Sequence, residues 1–389
     1  MSLELKKRGN TWTYVVDIGR NPITGKRKRK SKGGFKTKAE CRTAASLILT
    51  ELEKGTYFQI EKIIFEDYMK KYLESVKPQI KEKTYKLYEY VTRVHLLPTF
   101  GKMELSKIKP LHIQDFYNKS LESLSGVTVR HFHNVLNMAF NQAIKWQIIN
   151  FNPCNSVEKP KIKKRQLTVW NSEQLIAFLN KVKNMTIYLP VLLATSTGMR
   201  EGEICGLKWN CVDLNNKIIY IENQLQMINK KLELVNLKTF GSNRNITISD
   251  SIVNILKNIR VNQKENKNHF KENYNTNDFV FCKEDGSPYN PEYISSNFRR
   301  VLYEYKHDIK INGEIKKLNL CDELQIPLIR FHDLRHTHAT LLLKANTNPK
   351  VVAERLGHST VKMTLDTYSH VLPSMQKEAA DKLNDIFLK

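Results

Sequence analysis

Four short segments in the second half of the chain hold charged or nucleophilic side chains that packing alone does not explain. The first is TSTGMREGEICGLKW, in which Gly198 ends one predicted helix, Arg200 begins the next, and Glu203 can hold Arg200 one turn later. The second is LKTFGSNR, a turn between two predicted strands that carries Lys238. Taken alone, the first would be a surface ion pair and the second a solvated loop lysine.

The third and fourth segments lie near the C-terminus. FHDLRHTHAT places His332 and Arg335 on one helical face, and LGH follows with His358. LDTYSHV carries Tyr368, ten residues after His358. Arginine binds anionic oxygens through paired hydrogen bonds, while Lys, His and Tyr can transfer protons or attack as nucleophiles. These residue types therefore allow an anionic group to be bound and attacked.

The composition supports an anionic partner. Lys and Arg outnumber Asp and Glu by 63 to 39 in 389 residues, which leaves a formal net charge of +24. That charge exceeds what solubility requires and favours nucleic acid, although a generally basic surface would give the same value. The length predicts two or three domains with buried cores.

The spacing of the cysteines and the distribution of apolar residues indicate in which cellular compartment the protein works. There is no C-x-x-C pair, so we expect the six cysteines to be reduced and structural: Cys41, Cys154, Cys205, Cys211, Cys282 and Cys321. The start, MSLELKKRGN, has no apolar signal region, and no stretch approaches the ~18 apolar residues that span a bilayer. We predict a cytoplasmic protein without membrane association.

The elements that would position the four segments begin with a small basic unit. Residues 11–34 alternate as a hairpin with Trp12, Tyr14, Val16 and Ile18 on one face, and TKAE then opens a helix to about Lys54. The second strand of this hairpin is strongly basic and could lie along a DNA groove. Alternatively, it could be a solvated strand or a basic patch of the kind found in localisation signals. Its candidate DNA contacts are Lys26, Arg27, Lys28, Arg29, Lys30 and Lys32.

The next stretch, from Phe65 to about Val157, is predicted to be helical, with helices near 65–75, 83–96, 110–122 and 127–145. The last of these has an apolar core face and leaves Arg130 on another face, where it could meet phosphate. A linker rich in proline and charge follows; its Lys161, Lys163 and Lys164 could cross a DNA backbone or be solvated.

From residue 168 onward the pattern is mixed α+β, with helices near 172–183 and 187–195 and strands near 217–222, 232–237 and 245–248. We predict domains at 1–60, 61–158 and 168–389, with a linker at 159–167. The third domain holds all four reactive segments.

In this order, the four segments resemble the signature of the tyrosine recombinase (phage integrase) family: an isolated Arg, a strand-turn Lys, an H-x-x-R pair, a later L-G-H and a C-terminal Tyr. The resemblance runs from about residue 168 to 371. It maps the catalytic positions onto Arg200, Lys238, His332, Arg335, His358 and Tyr368.

The resemblance extends to the rest of the chain. The first segment, with GGFKTKAE after its basic strand, looks like the arm-type DNA-binding domain of such integrases, and the helical middle looks like their SAM-like core-binding domain. The implied fold is multidomain: a small β-sheet-plus-helix N-terminal domain, an all-α core-binding domain and an α+β tyrosine recombinase catalytic domain. The stretch of residues 303–325 is longer than a minimal version of this catalytic domain would need.

The implied chemistry is strand cleavage and rejoining in DNA. Arg200 and Arg335 would bind the non-bridging oxygens of a phosphodiester, as a metal does elsewhere, so neither cofactor nor metal is expected. Tyr368 would attack to give a 3′-phosphotyrosine, with Lys238 as general acid for the 5′-hydroxyl. His358 would donate a hydrogen bond to phosphate, and His332 would assist proton transfer or position neighbouring groups.

The implied function is a site-specific recombinase that integrates and excises a mobile element. Its partners would be double-stranded attachment-site DNA, three further copies in a homotetramer, and an excisionase or host DNA-bending protein. The segment 373–389 has one apolar helical face, which by resemblance docks on a neighbouring protomer or else packs on its own chain: Met375, Ala379, Leu383, Ile386 and Phe387.

Other classes fit less well. HDLRH has two histidines four residues apart, but a zinc protease motif needs Glu where Asp333 stands. A metal-dependent transposase needs a carboxylate cluster, which these segments lack. A type IB topoisomerase uses similar chemistry, yet the arm-like first domain favours recombination. A non-catalytic basic DNA-binding protein would not need the intact Tyr368.

Overall fold

A computed structural model describes residues 3–20, 25–53, 62–162, 167–237, 243–311 and 314–368, with residues 383–384 and 386–387. The chain divides into two compact units, Met1–Lys164 and Arg165–Lys389. Of the helices in these ranges, none is both long enough and apolar enough to cross a membrane.

The first unit opens with an antiparallel sheet of β1 (Leu3–Arg8), β2 (Thr11–Arg20) and β3 (Arg27–Phe35), in that order. Helix α1 (Lys38–Glu53) packs on it, and the core between them contains Tyr14, Val16, Cys41, Ala45 and Ile48. The predicted hairpin is β2 and β3. Strand β1 is an addition: its LELKKR is mostly charged, but pairing with β2 lets its two leucines join the apolar face.

The helical part contains α2 (Phe65–Val76), α3 (Glu82–Val91), α4 (Leu97–Phe100), α5 (Pro110–Leu121) and α6 (Gly126–Lys145). A five-residue π-helical segment, Thr92–Leu96, joins α3 to α4. The predicted core face of α6 is buried as expected: Val129, Phe132, Leu136, Ala139, Phe140 and Ala143. An aromatic-rich core closes these helices into one body.

The second unit begins with α7 (Ser172–Lys181), α8 (Tyr188–Thr197) and α9 (Glu201–Gly206). Strands β4 (Val212–Asp213), β5 (Ile218–Ile221) and β8 (Arg244–Thr247) form a sheet in the order β4-β5-β8. Strands β6 (Asn223–Ile228) and β7 (Lys231–Asn236) form a separate hairpin. Helix α9 lies close against β6, since a Cβ on Gly206 would stand 2.8 Å from the backbone nitrogen of Leu225.

The rest of the unit is mainly helical. It contains α10 (Asp250–Phe270), α11 (Pro291–Arg299), α12 (Leu320–Leu324), α13 (Asp333–Lys344), α14 (Pro349–Leu356) and α15 (Val361–Tyr368). The extra residues noted between 303 and 325 contribute the hairpin β9 (His307–Ile311) and β10 (Glu314–Leu318), followed by α12. One apolar core joins most of these elements, and a smaller one joins α13, α14 and α15.

Candidate active site

Arg200 stands at the start of α9, where Glu203 holds it as the sequence predicts. Its Nη1 donates to Glu203 Oε1 at 2.7 Å, and its backbone N–H donates to Oε2 at 2.9 Å. Glu203 also accepts from Arg244, whose Nη2 lies 2.7 Å from Oε2. The Glu203 side chain is fully buried while that of Arg200 is 35% exposed. The network therefore fixes Arg200 through its backbone N–H and Nη1, while about a third of the side chain stays exposed to a ligand.

The turn before Arg200 depends on Gly198. It ends α8 with φ of +73°, and a Cβ there would lie 2.9 Å from both His338 Cδ2 and Leu356 Cδ2. Glycine alone fits that backbone and that gap without strain. His338 is buried behind this turn, and its Nδ1 bonds to the carbonyl of Thr195 at 2.8 Å.

Arg335 joins two of the predicted segments through backbone carbonyls. From α13, its Nη1 donates to the carbonyl of Gly198 at 2.6 Å and its Nη2 donates to the carbonyl of Leu356. The first acceptor is two residues before Arg200, and the second is two residues before His358. One buried guanidinium thus brings the segments of Arg200 and His358 together.

The end of α14 supplies a second arginine contact. The carbonyl of Arg355, next to that of Leu356, accepts from Arg244 Nε at 2.7 Å. The final carbonyls of a helix lack partners within the helix and carry its partial negative charge. Two arginines occupy these acceptors here, so the helix end acts as a fixed anionic support for the cationic site.

The two remaining predicted histidines flank this core. His332 precedes α13, whose first turn is closed by Asp333 accepting from Arg330 at 2.7 Å. His332 is exposed, yet partial desolvation and then the charges of Arg335 and Arg200 lower its pKa. His358 is half-buried with Nδ1 2.8 Å from Thr364 Oγ1, and burial followed by Arg335 lowers its pKa to about 4. Both imidazoles are therefore neutral at pH 7.

Tyr368 is buried, with 1% of its surface exposed. It belongs to the small apolar core that includes Ala339, Leu343 and Leu356, and its hydroxyl lies 2.7 Å from Nδ1 of His336. Burial raises the pKa of Tyr368 to about 12, against the opposing effect of Arg335. The phenol is therefore protonated at neutral pH.

Charge dominates this arrangement. Burial, and then repulsion from Arg200 and Arg244, lowers the pKa of Arg335 to about 9, so it stays cationic at pH 7. Burial alone would raise the pKa of Glu203, but attraction and hydrogen bonds from Arg244 and Arg200 lower it to about 2. Several guanidiniums thus share one buried carboxylate, which leaves a site that attracts an anion.

The other predicted residues lie elsewhere or outside the described ranges. Lys238, Lys163 and Lys164 fall outside the described residues. Lys161 is exposed, as are Lys26 and the basic residues from 27 to 32 on β3. Arg130 is half-buried, and its Nε donates to the carbonyl of Pro160 at 3.1 Å, so it already holds a backbone contact.

Sequence reasoning did not assign roles to Arg244 or His336. The partner of Arg244 is 41 residues away and that of His336 is 32 residues away, so neither spacing has a helical or strand period. The weak signal for His336 was its position directly after Arg335.

Family models match three parts of the chain. A "Phage integrase family" model matches residues 165–375, a "Phage integrase, N-terminal SAM-like domain" model matches residues 64–121, and an "Arm DNA-binding domain" model matches residues 4–52. The first spans more than half of the chain.

Among curated proteins, the chain is similar to the ICEBs1 integrase of Bacillus subtilis, with 26% identity over 378 residues that cover 96% of this chain and 97% of the relative. It is also similar to a XerC-like tyrosine recombinase of Caldanaerobacter subterraneus, with 28% identity over 406 residues that cover 98% of each.

Two solved structures share the fold. The Tn1549 transposon integrase, in complex with a circular intermediate DNA, gives a TM-score of 0.66 at 20% identity over 81% of this chain and 99% of the other. A lambda integrase tetramer bound to a Holliday junction gives 0.58 at 17% identity over 93% of this chain and 94% of the other.

Proposed function

Because the chain belongs to the phage integrase family and is a site-specific tyrosine recombinase, an integrase of a mobile element, we propose that the side chains gathered around Tyr368 carry out its reaction. The observation that carries this assignment is the bonding of Arg335. It reaches the backbone beside Arg200 on one side and beside His358 on the other. Tyr368 lies in the same small apolar core as Leu356, which supplies one of those carbonyls.

In the proposed reaction, Arg200 and Arg335 bind the non-bridging oxygens of the phosphodiester and stabilise the charge that grows as the nucleophile arrives. Tyr368 attacks phosphorus, which forms a 3′-phosphotyrosine and releases a 5′-hydroxyl. Lys238 protonates that leaving oxygen. His358 donates a hydrogen bond to phosphate, and His332 assists proton transfer or positions the neighbouring groups.

Rejoining needs no external energy source, since the phosphotyrosine bond preserves the energy of the ester. A 5′-hydroxyl from a second duplex attacks the same phosphorus and frees Tyr368. The positive charge of Arg335 supports this cycle because it would attract the phosphate, and the neutral ring of His358 supports it because an imidazole N–H can donate a hydrogen bond.

We further propose double-stranded attachment-site DNA as substrate, with contacts from β3 and from the basic stretch around Lys161. The exposure of these side chains supports the proposal. By analogy with the lambda integrase tetramer bound to a Holliday junction, four copies assemble on DNA. The tail 373–389, most of which lies outside the described residues, would dock on a neighbouring protomer through its apolar helical face. An excisionase or a host DNA-bending protein would assist excision, and the reaction would take place in the cytoplasm.

The division into an arm-type domain (1–60), a core-binding domain (61–158), a linker (159–167) and a catalytic domain (168–389) belongs to the same proposal. The separate core of the basic sheet and the positions of the three family matches support it.

The test is covalent capture on DNA. The full chain is incubated with a nicked attachment-site duplex that loses its 5′-hydroxyl fragment after cleavage, and the adduct is resolved on a denaturing gel. We expect an adduct with wild type and none with Tyr368→Phe, whose single lost hydrogen bond should cost only about 1 kcal/mol of stability.

An adduct that persists in Tyr368→Phe, or that forms only with a divalent metal, would overturn the assignment. Relaxation of supercoiled DNA that lacks the attachment site, at the rate seen with the site, would favour the topoisomerase alternative.

A further inference from the structure

The hydroxyl of Tyr368 is bound by a side chain outside the predicted catalytic set. His336 lies on α13 directly after Arg335, and its Nδ1 is 2.7 Å from Tyr368 Oη. The two rings are tilted by 58°, with centroids 5.7 Å apart. Within the described ranges, no other hydrogen-bond partner contacts this hydroxyl.

We propose that His336 is a catalytic residue that accepts the phenolic proton when Tyr368 attacks DNA and returns it when the strand is rejoined. This inference rests on the function proposed above. In cleavage, a bond forms between Tyr368 Oη and phosphorus while the bond from phosphorus to the 5′ oxygen breaks. The phenolic proton passes to Nδ1 of His336, and the 5′ oxygen takes a proton from Lys238. Rejoining reverses both transfers.

The surroundings of His336 keep its imidazole neutral in the resting site, so that a ring nitrogen has a free lone pair. The charged and titratable groups that face it are His332, Asp333, Arg335 and Arg330, together with the phenol itself. Burial, followed by the effect of His332, lowers the pKa of His336 to about 4, so the imidazole is neutral at pH 7. A neutral imidazole with its proton on Nε2 offers the Nδ1 lone pair to the hydroxyl.

The surroundings of Tyr368 make an acceptor necessary. The buried phenol has a pKa of about 12, so almost none is ionised at pH 7. Water reaches little of a side chain with 1% exposure. A base at 2.7 Å is within the reach that general-base catalysis requires.

His332 is the ring neighbour of His336 and takes no part in the proton transfer between Tyr368 and His336. Its ring is edge-on to that of His336, with centroids 5.4 Å apart at 83°. Positive charge gained by His336 therefore interacts with His332, whose side chain is exposed.

The test compares His336→Asn with a matched variant, His269→Asn, which changes an exposed histidine on α10. Asn places an amide oxygen near the position of Nδ1, so it can accept the hydrogen bond without accepting the proton. Single-turnover adduct formation on the nicked duplex is followed from pH 6 to pH 9 with the full chain, and thermal unfolding is recorded for each variant.

We expect His336→Asn to lower the cleavage rate at pH 7 by roughly 10²–10⁴-fold, the range for loss of a general base. Its rate should rise with pH because hydroxide replaces the missing base. His269→Asn should match wild type. Incorporating a fluorinated, more acidic tyrosine at position 368 should restore the rate of His336→Asn, but not that of Arg335→Lys, which weakens phosphate binding.

If His336→Asn folds poorly, fluorinated tyrosine in the otherwise unaltered chain tests the same point, since a more acidic phenol should reduce the solvent deuterium effect on cleavage. No adduct with wild type would overturn the proposed function and this role together. Equal rates for wild type and His336→Asn, no rescue by the acidic phenol, or an unchanged deuterium effect would overturn the role of His336 alone.

Discussion

Replacing Glu203 with Gln tests whether the buried carboxylate supports the cationic site. The substitution keeps the shape of the side chain and removes its charge. Arg200 then loses its ionic partner, and Arg244, whose side chain is 5% exposed, stays buried without the carboxylate that pairs with it. We expect the second unit to lose stability and Arg200 to lose its fixed position.

The magnitude follows from the pKa of Glu203, which the arginines hold at about 2 against an ordinary value of 4.5. Each tenfold change in acidity is equivalent to about 1.4 kcal/mol, so the ionised form is favoured in the folded chain by about 3 kcal/mol. Breaking a buried ion pair costs about 3–5 kcal/mol, in agreement. For a unit of this size the melting temperature should fall by about 6–12 °C.

The stability that ionised Glu203 contributes decreases at acidic pH. The folded pKa lies below the unfolded one, so this contribution is present above pH 4.5 and is lost as the pH falls towards 2. The gap in melting temperature between wild type and Glu203→Gln should therefore be full at pH 7 and narrow below pH 4.5. Scanning calorimetry of both proteins across this range measures it.

The control is Glu304→Gln, which removes an exposed ion pair with Arg299 at 3.4 Å. Exposed pairs contribute about 0–1 kcal/mol, so this variant should melt close to wild type. The reasoning is refuted if Glu203→Gln and Glu304→Gln have the same melting temperature at pH 7. It is also refuted if the difference in melting temperature between wild type and Glu203→Gln does not change below pH 4.5.

Two further substitutions test other parts of the molecule. Gly198→Ala should destabilise the second unit by more than about 1 kcal/mol and slow adduct formation, because its Cβ would meet His338 and its φ is +73°; unchanged melting and cleavage would contradict this. Replacing Lys26 and Lys28 together by Gln should reduce the slope of log binding constant against log salt by roughly 2 if each meets a phosphate, as measured by fluorescence anisotropy on arm-site DNA. An unchanged slope would remove both from the DNA contact.

The sequence predicted those features that depend on local spacing. The core face of α6 repeats at the helical period, and its six predicted positions are buried. The pairing of Arg200 with Glu203 follows from a separation of three residues at a helix start. Such patterns are readable because neighbours in sequence are also neighbours in space.

The features that sequence did not predict depend on distant partners. Strand β1 is charged at most positions and becomes a strand only through its pairing with β2. Strand β6, NQLQMI, has a weak apolar alternation and is defined by β7 and by close contact with α9. The carbonyl acceptors of Arg335 carry no side-chain signature, so no residue type could have revealed them.

Arg335 is held by main-chain oxygens, so its hydrogen bonds do not depend directly on the side chains of the residues that accept them. The carbonyl of Leu356 would be presented by any residue whose backbone followed the same course, whereas position 198 is restricted to glycine by its φ and by the nearby His338. Position 356 is therefore constrained by its apolar packing, while its hydrogen bond is available to many residue types. The path of the chain holds the guanidinium, so a substitution at position 356 that keeps the apolar packing should leave the anion-binding geometry unchanged.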